Sequence, residues 1–211
     1  MNLPVNTRER LLSLDVFRGI TVVGMILVNN PGSWSYIYPP LAHATWNGCT
    51  PADLVFPFFL FIVGVAICIS LGNKVAHQGH AQLLWTVARR ATILLALGLF
   101  LAAFPSIFTN PVATIQQLRI PGILQRIAVV FFIAAVVFIK TKPRTQAMIA
   151  IGLLIVYWLL MTCVPVPGLG YANLEKETNL GAWLDRTLLG ESHLWKLSVS
   201  WDPEGILGTL P

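Results

Sequence analysis

Residues 54–71 read Leu54-Val-Phe-Pro-Phe-Phe-Leu-Phe-Ile-Val-Gly-Val-Ala-Ile-Cys-Ile-Ser-Leu71 and contain no charged side chain. A helix rises about 1.5 Å per residue, so this run is long enough to cross a hydrocarbon core about 30 Å thick. Hydrophobic residues make up 55% of the chain and charged residues only 11%, against about 25% charged in a soluble domain. The sequence therefore predicts an integral membrane protein.

Four further apolar stretches lie on either side of this one. The first of them leads into Asn29, Asn30 and Pro31 rather than a small-residue cleavage site, so we interpret it as a retained helix and not a signal peptide. The predicted fold class is all-α, a polytopic transmembrane helical bundle of about five spans. The predicted spans lie near residues 11–30, 52–72, 86–104, 122–139 and 146–163.

The distribution of basic residues predicts the orientation, because cytoplasmic loops and flanks carry the excess of Lys and Arg. Residues 31–51 contain neither Lys nor Arg, and residues 105–121 contain only Arg119. The N-terminus is therefore predicted to be cytoplasmic and His43 to face the other side. The basic residues that carry this prediction are Arg8, Arg10, Lys74, Arg89, Arg90, Lys140, Lys142 and Arg144.

The charge and cysteine content exclude some partners. The net charge of +5 is accounted for by the residues that anchor the helices, so no nucleic-acid partner is predicted and the surroundings are membrane lipid. Three cysteines, Cys49, Cys68 and Cys163, lie far apart without ligand spacing, and predict neither a metal site nor a disulfide framework. The sequence leaves the oligomeric state open, a homo-oligomer included.

A polar segment, residues 164–211, follows the fifth span and is predicted to be an extracytoplasmic loop. It holds six of the nine acidic residues. The leucines beside Trp183 indicate a short amphipathic helix against the membrane or the bundle; they are Leu184, Leu188 and Leu189. A solvated loop with one packed helix is the alternative. Because apolar residues increase again toward Pro211, the chain is expected to be truncated.

Polar side chains also fall inside the predicted spans. The apolar stretch from Gly19 to Asn30 has 12 residues, roughly 18 Å of helix, which is too short to cross the membrane. Span one is therefore expected either to include Asp15 and Arg18, which lie on one helical face, or to leave Asn29 and Asn30 at membrane depth. That pair is either a functional charge pair or an interfacial ion pair. Arg126 either points into a cavity or extends to the outer interface.

The loop from His43 to Asp53 is the candidate site for chemistry. Thr50 as N-cap, Pro51 at the first helical position and Asp53 at the third are typical of a helix start, which explains Asp53 without catalysis. Histidine titrates near neutrality and can act as a base or carry an acyl group. An exposed interfacial histidine is the alternative for His43, and His193 is a reserve candidate for a base.

Several motifs, taken together and in order, resemble the heparan-alpha-glucosaminide N-acetyltransferase family and its bacterial relatives. The match extends over nearly the whole chain, and its specificity lies in the combination, since each motif alone is weak. The motifs are Ser13-Leu-Asp-Val-Phe-Arg-Gly19, Leu27-Val-Asn29, His43-Ala-Thr-Trp-Asn-Gly48, Ala52-Asp-Leu-Val-Phe-Pro57, Gly122-Ile-Leu-Gln-Arg126 and Asp202-Pro-Glu-Gly205.

The resemblance implies a membrane acetyltransferase that takes acetyl from cytoplasmic acetyl-CoA and transfers it to the amine of an amino sugar on the other side. By position, His43 matches the family's active-site histidine, and Asn29 and Asp53 match its supporting polar residues. These three are the predicted catalytic residues.

The predicted cofactor-binding residues are Arg18, Arg90, Gln125 and Arg126. Arg18, Gln125 and Arg126 match signature positions of the family. Arginines near a cytoplasmic entrance would suit the phosphates of acetyl-CoA, for which Arg18 and Arg90 are candidates.

The chain departs from the family's pattern in two respects. The large lumenal domain of the animal enzyme has no counterpart here, which indicates a bacterial-type member of the cytoplasmic membrane and an acceptor other than heparan sulfate. The chain is also expected to be the N-terminal part of one transmembrane acyltransferase domain and to be inactive alone. The alternatives are O-acylation of a cell-envelope glycan and a non-catalytic transporter or membrane subunit, in which Asp15 and Arg18 would be coupling residues.

Overall fold

The computed structural model describes residues 11–75, 77–198 and 200–210, apart from the side chain at position 73. Arg8 and Arg10, which support the predicted orientation, lie outside the described residues. The described part of the chain is helical and contains no strand, which confirms the all-α prediction. Its α-helices are α1 (Leu12–Asn29), α2 (Pro51–Val75), α3 (His80–Ala103), α4 (Ser106–Thr109), α5 (Pro111–Gln116), α6 (Ile123–Lys140), α7 (Pro143–Cys163) and α8 (Leu180–Leu189).

Five of these helices, α1, α2, α3, α6 and α7, are long and apolar enough to cross a membrane, which confirms the predicted number of spans. The main difference in boundaries is at α3, which begins at His80 rather than near residue 86. Its first turn contains His80 and Gln82, so a search for apolar residues alone places the start too late. Helix α7 begins at Pro143, where a proline at the first position has no amide to leave unpaired.

The chain divides into two compact units, residues 1–69 and 70–211, and the boundary falls inside α2. In the first unit, α1 packs against the first half of α2. The rings of Phe17 and Phe58 lie 5.7 Å apart between centroids, and a Cβ placed on Gly24 would contact the side chain of Val55 at 3.4 Å. These contacts make a helical pair whose connecting loop contains His43.

In the second unit, α3 packs along α6 through small and aliphatic residues. Ala91 and Gly98 are buried on α3, and Ala128 and Ala135 are buried on α6. Small residues allow helix backbones to approach closely, which is the usual way helices associate in lipid. The pairing leaves the polar loop 117–122 at the junction between α5 and α6.

Residues 164–210 fold back onto the end of α7. A small core of Val166, Leu180 and Leu207 packs against aromatic and aliphatic residues of α7 and α8. The predicted amphipathic helix is confirmed as α8, which begins where the Asn179 side chain accepts the N–H of Ala182 at 2.9 Å. Helix α8 and the residues of this core are therefore packed in the second unit, while residues 167–171 are exposed. The residues packed on this core are Tyr157, Leu160, Met161, Trp183 and Leu184.

Candidate functional site

A histidine and a carboxylate face each other at the start of α2. The Nδ1 atom of His43 lies 2.7 Å from Oδ1 of Asp53, within hydrogen-bonding distance. Ten residues separate the two in sequence, so the loop between them must turn back on itself. Gly48 lies in that loop with φ at +126°, a backbone conformation that glycine adopts readily and other residues rarely.

The second oxygen of Asp53 holds the helix start. Oδ2 accepts the backbone N–H of Thr50 at 2.9 Å, the Thr50 hydroxyl at 3.0 Å and the N–H of Ala44 at 3.3 Å. Asp53 therefore accepts a backbone N–H at the helix start, as predicted from its position. Asp53 uses one oxygen for the helix and the other for His43, so helix capping and orientation of the imidazole are not alternatives.

The exposure of the pair makes it available for chemistry. The side chain of His43 is 55% exposed, while that of Asp53 is 28% exposed. A carboxylate accepts a proton at Nδ1, which assigns the lone pair of the neutral ring to Nε2. Among the described residues Nε2 has no hydrogen-bond partner. The arrangement is that of an imidazole oriented by an acid, with its basic nitrogen directed away from the acid.

Asn29 and Arg18, both predicted site residues of the first unit, make local contacts. The Asn29 amide donates to the carbonyl of Met25 at 2.8 Å, one helical turn back. Within residues 11–75 the structure does not bring it into hydrogen bonding with His43 or Asp53. Arg18 pairs with Asp15 at 3.3 Å, as its spacing predicts, and both side chains are nearly half exposed. Their roles in catalysis and in cofactor binding remain predictions.

The second unit holds the other three predicted residues, all on spanning helices. Arg90 is exposed on α3. Arg126 donates from Nη2 to the carbonyl of Gly208, which ties α6 to residues 164–210. Gln125 is 8% exposed and lies next to Gly122, which precedes α6, and Gly98 on α3. Their assignment to the cofactor also remains a prediction.

A buried charge cluster in the second unit was not predicted as a site. Arg119 donates to both carboxylate oxygens of Asp202, at 2.9 and 2.6 Å, and also to Glu204. Burial lowers the pKa of Arg119, but hydrogen bonds and charge from the two acids outweigh that effect and raise it. Burial raises the pKa of Glu204, and Arg119 only partly opposes this. The cluster joins loop 117–122 to the Asp202-Pro-Glu-Gly205 motif.

The same motif is fixed by a buried acid on α8. Asp185 is 2% exposed, and its Oδ1 accepts the N–H of Ile206 at 2.9 Å. A Cβ on Gly205 would overlap Oδ2 of Asp185, so only glycine fits there without movement. His193, the reserve candidate for a base, has its Nδ1 2.8 Å from the carbonyl of Leu118 and thereby ties the loops together.

Substitution of Asp185 by asparagine is expected to weaken the pH dependence of stability. Burial raises the pKa of Asp185, and the charge of Asp202 raises it further, although the Ile206 N–H acts in the opposite direction. The folded state thus binds this proton more tightly than the unfolded state. This contribution to the free energy of unfolding falls as the pH rises from about 4 through the raised pKa.

The measurement is the unfolding temperature of Asp185→Asn at pH 5 and pH 7.5 in detergent. We expect the gap between the two pH values to shrink relative to the unsubstituted protein, with Glu204 retaining part of it. The exposed Asp15→Asn is the control and should leave the gap unchanged. An undiminished gap in Asp185→Asn would show that this acid is not the titrating group.

The fold and the histidine–carboxylate pair define a class: a helical integral membrane protein with a candidate acid–base site at the start of a spanning helix. The comparisons with known proteins make this specific. The family model described as "Heparan-alpha-glucosaminide N-acetyltransferase, catalytic" matches residues 10–184. The chain belongs to this family of membrane acetyltransferases.

Two relatives support the assignment. The chain is 34% identical to human heparan-alpha-glucosaminide N-acetyltransferase, over 95% of this chain and 36% of that protein. It is 32% identical to the mouse protein of the same name, over 97% of this chain and 37% of that protein. The chain thus spans little more than a third of the length of the curated relatives it matches.

Proposed function

We propose that this chain carries the reacting histidine of a membrane acetyltransferase that uses acetyl-CoA and acetylates the amine of an amino sugar. The observation that carries the proposal is the 2.7 Å contact between His43 Nδ1 and Asp53 Oδ1. It orients the imidazole and supplies the negative charge that stabilises an imidazolium when Nε2 takes up a proton. The family assignment supports acetyl transfer as the reaction that uses such a base.

Two routes are open to an imidazole in this position. In one, Nε2 removes a proton from the ammonium of the sugar, whose free amine attacks the thioester and expels coenzyme A as thiolate. In the other, Nε2 itself attacks the thioester carbonyl, coenzyme A leaves as thiolate, and the acetyl-imidazole then acetylates the amine. Asp53 stabilises the positive ring in both. The start of α2 adds a partial positive charge for the developing oxyanion.

The proposed sidedness follows from the distribution of basic residues. Acetyl-CoA would be bound from the cytoplasm, and the amino sugar would be acetylated on the opposite side, where the loop with His43 is predicted to lie. The exposed guanidinium group of Arg18 in the first unit, or that of Arg90 in the second, is the proposed contact for the phosphates. For Gln125 and Arg126 the cofactor assignment stays a prediction.

Asp53→Asn is expected to lower the rate of acetyl transfer by about 10²–10⁴-fold, the range found when a catalytic proton-transfer arrangement is disrupted. An amide keeps the size of the carboxylate but cannot stabilise an imidazolium by charge, and its NH₂ favours the wrong tautomer of His43. The measurement is the steady-state kcat with acetyl-CoA and glucosamine. Unchanged kcat in Asp53→Asn would contradict the proposed pair.

The proposed reaction is tested with the intact protein in detergent, acetyl-CoA and two acceptors. Glucosamine presents an amine, and glucose presents hydroxyl groups alone. Acetylated glucosamine without acetylated glucose supports N-acetylation. Acetylation of glucose would favour the O-acyltransferase alternative. If the folded protein consumes no acetyl-CoA with either sugar, both acetyltransferase readings are contradicted and a transporter or membrane subunit is favoured.

A further inference from the structure

The side chain of Asp53 ties together both ends of the loop that follows His43. Its Oδ1 faces Nδ1 of His43 at 2.7 Å, and its Oδ2 accepts the backbone N–H of Ala44 at 3.3 Å. The backbone N–H and the hydroxyl of Thr50 donate to the same Oδ2, at 2.9 and 3.0 Å. When His43 carries its proton on Nδ1, four donors therefore hold the two oxygens of one carboxylate.

Only one of the three donors at Oδ2 depends on a particular side chain. The backbone N–H groups of Ala44 and Thr50 would remain with almost any residue at either position, whereas the hydroxyl of Thr50 would remain only with serine. The N–H of Ala44 is 3.3 Å away, beyond the usual range of about 2.7–3.2 Å. Loss of the hydroxyl would thus leave Oδ2 with a single donor at a normal distance.

The hydroxyl of Thr50 makes a different contact from the one that a threonine at a helix start usually makes. Such a hydroxyl ordinarily accepts a backbone N–H from the first turn of the helix. Here the backbone N–H of Asp53 donates to the carbonyl of Thr50 at 3.0 Å. The hydroxyl donates to the side chain of Asp53, because a carboxylate can only accept. The contact therefore holds the carboxylate rather than a free amide of α2.

The rotation of the Asp53 carboxylate decides which nitrogen of His43 is basic. The last torsion of an aspartate side chain is broad, so the carboxylate turns readily unless its oxygens are held. While Oδ1 accepts the proton on Nδ1, the lone pair of the neutral ring is on Nε2. A rotated carboxylate would release Nδ1, and the ring could then carry its proton on Nε2 instead. The donors at Oδ2 oppose that rotation.

We propose that Thr50 is a positioning residue of the candidate site. Its hydroxyl fixes the rotation of the Asp53 carboxylate, and the carboxylate in turn holds His43 with its proton on Nδ1 and its lone pair on Nε2. Thr50 thus acts through Asp53 and does not touch the reacting groups. Its effect on the rate of acetyl transfer rests on the proposed function, whereas its effect on the imidazole of His43 does not.

The first test compares Thr50→Val, which removes the hydroxyl at nearly the same shape, with Thr50→Ser, which keeps it. Thr50→Val is expected to lower kcat about tenfold, the effect of losing one hydrogen bond to a charged group, with KM for acetyl-CoA and glucosamine unchanged. Thr50→Ser should retain most of the rate. Thr86→Val is the matched control, because the Thr86 hydroxyl donates to the carbonyl of Gln82 within α3.

The same substitution in a second background separates positioning from stability of the helix. In Asp53→Asn, Thr50→Val should lower kcat little further, because the carboxylate through which Thr50 acts is absent. An equal loss in both backgrounds, or normal kcat in Thr50→Val alone, would overturn the proposal. Unfolding temperatures show whether each variant is folded. Thr50→Gly also lacks the hydroxyl and is well tolerated at a helix start, so it replaces Thr50→Val if that variant does not fold.

The imidazole itself provides a test that needs no turnover. Nitrogen NMR of the intact, histidine-labelled protein in detergent distinguishes a ring protonated on Nδ1 from one protonated on Nε2, and His43→Ala identifies the signals of His43. Thr50→Val should increase the share of neutral ring protonated on Nε2, and Thr50→Ser should not. That result in a protein that transfers no acetyl would sustain the role of Thr50 and contradict the proposed reaction. An unchanged share in Thr50→Val would overturn the role of Thr50, whatever the rate.

Discussion

His43→Ala is expected to reduce acetyl transfer by about 10²–10⁴-fold or more, the range for loss of a catalytic base. Alanine removes the nitrogen that accepts the proton or the acetyl group, whichever route is followed. The fold should survive, because the side chain is 55% exposed and Asp53 keeps its bonds to Thr50. The loss should therefore be in kcat, with the Kd for acetyl-CoA unchanged.

The measurement is transfer of labelled acetyl, alongside equilibrium binding of acetyl-CoA to the same preparation. His77→Ala is the matched control. His77 is exposed in the loop after α2, and among the described residues its side chain has no carboxylate partner. Labelled acetyl that is retained on the protein without acceptor, and lost in His43→Ala, would identify the covalent route. Normal kcat in His43→Ala would remove the histidine from the mechanism.

Arg119→Met is expected to lower the free energy of unfolding of the second unit by about 3–5 kcal/mol, the cost of removing one partner from a buried ion pair. Methionine retains much of the length of the arginine but leaves two acids without their cation. The Asp202 side chain is fully buried and that of Glu204 is 16% exposed, so neither charge can be solvated well. The segment after α7 would lose the contact that ties it to loop 117–122.

The measurement is denaturant-induced unfolding in detergent, followed by tryptophan fluorescence, since Trp195 and Trp201 lie in the affected segment. The exposed Arg89→Met on α3 is the control. Adding Asp202→Asn to Arg119→Met should recover part of the loss, because it removes one stranded charge. A cost below about 1 kcal/mol for Arg119→Met, as for a surface pair, would show that the cluster does not hold the segment.

The sequence predicted the features that depend on neighbouring residues. Long, mainly apolar runs identified the five spanning helices, since length and hydropathy are local properties. The start of α2 was also predictable, because the reach of Asp53 to Thr50 is a contact across three positions. The contact between Asp53 and His43 closes a ten-residue loop and had no local signal of its own. Only the resemblance to a family predicted that both residues belong to one site.

The second unit shows what sequence reasoning missed. Arg119 and Asp202 are 83 positions apart, and their contact depends on the packing of residues 164–210 against the bundle. The available signals were Arg119, the only basic residue in residues 105–121, and the Asp202-Pro-Glu-Gly205 motif. Neither signal indicates which residue the other side chain contacts. Gln125 was predicted as a site residue only from its position in a motif. Its proximity to Gly98, which lies on another helix, has no signal in the sequence.

The central claim is that His43 transfers acetyl from acetyl-CoA to an amino sugar across the membrane. The most direct test uses sealed vesicles that contain the intact protein in known orientation, with labelled acetyl-CoA on one side and glucosamine on the other. The expected result is labelled N-acetylglucosamine when acetyl-CoA is on the cytoplasmic face, and none with His43→Ala. If the folded protein forms no acetylated sugar in either arrangement, or if His43→Ala forms as much as the unsubstituted protein, the claim is contradicted.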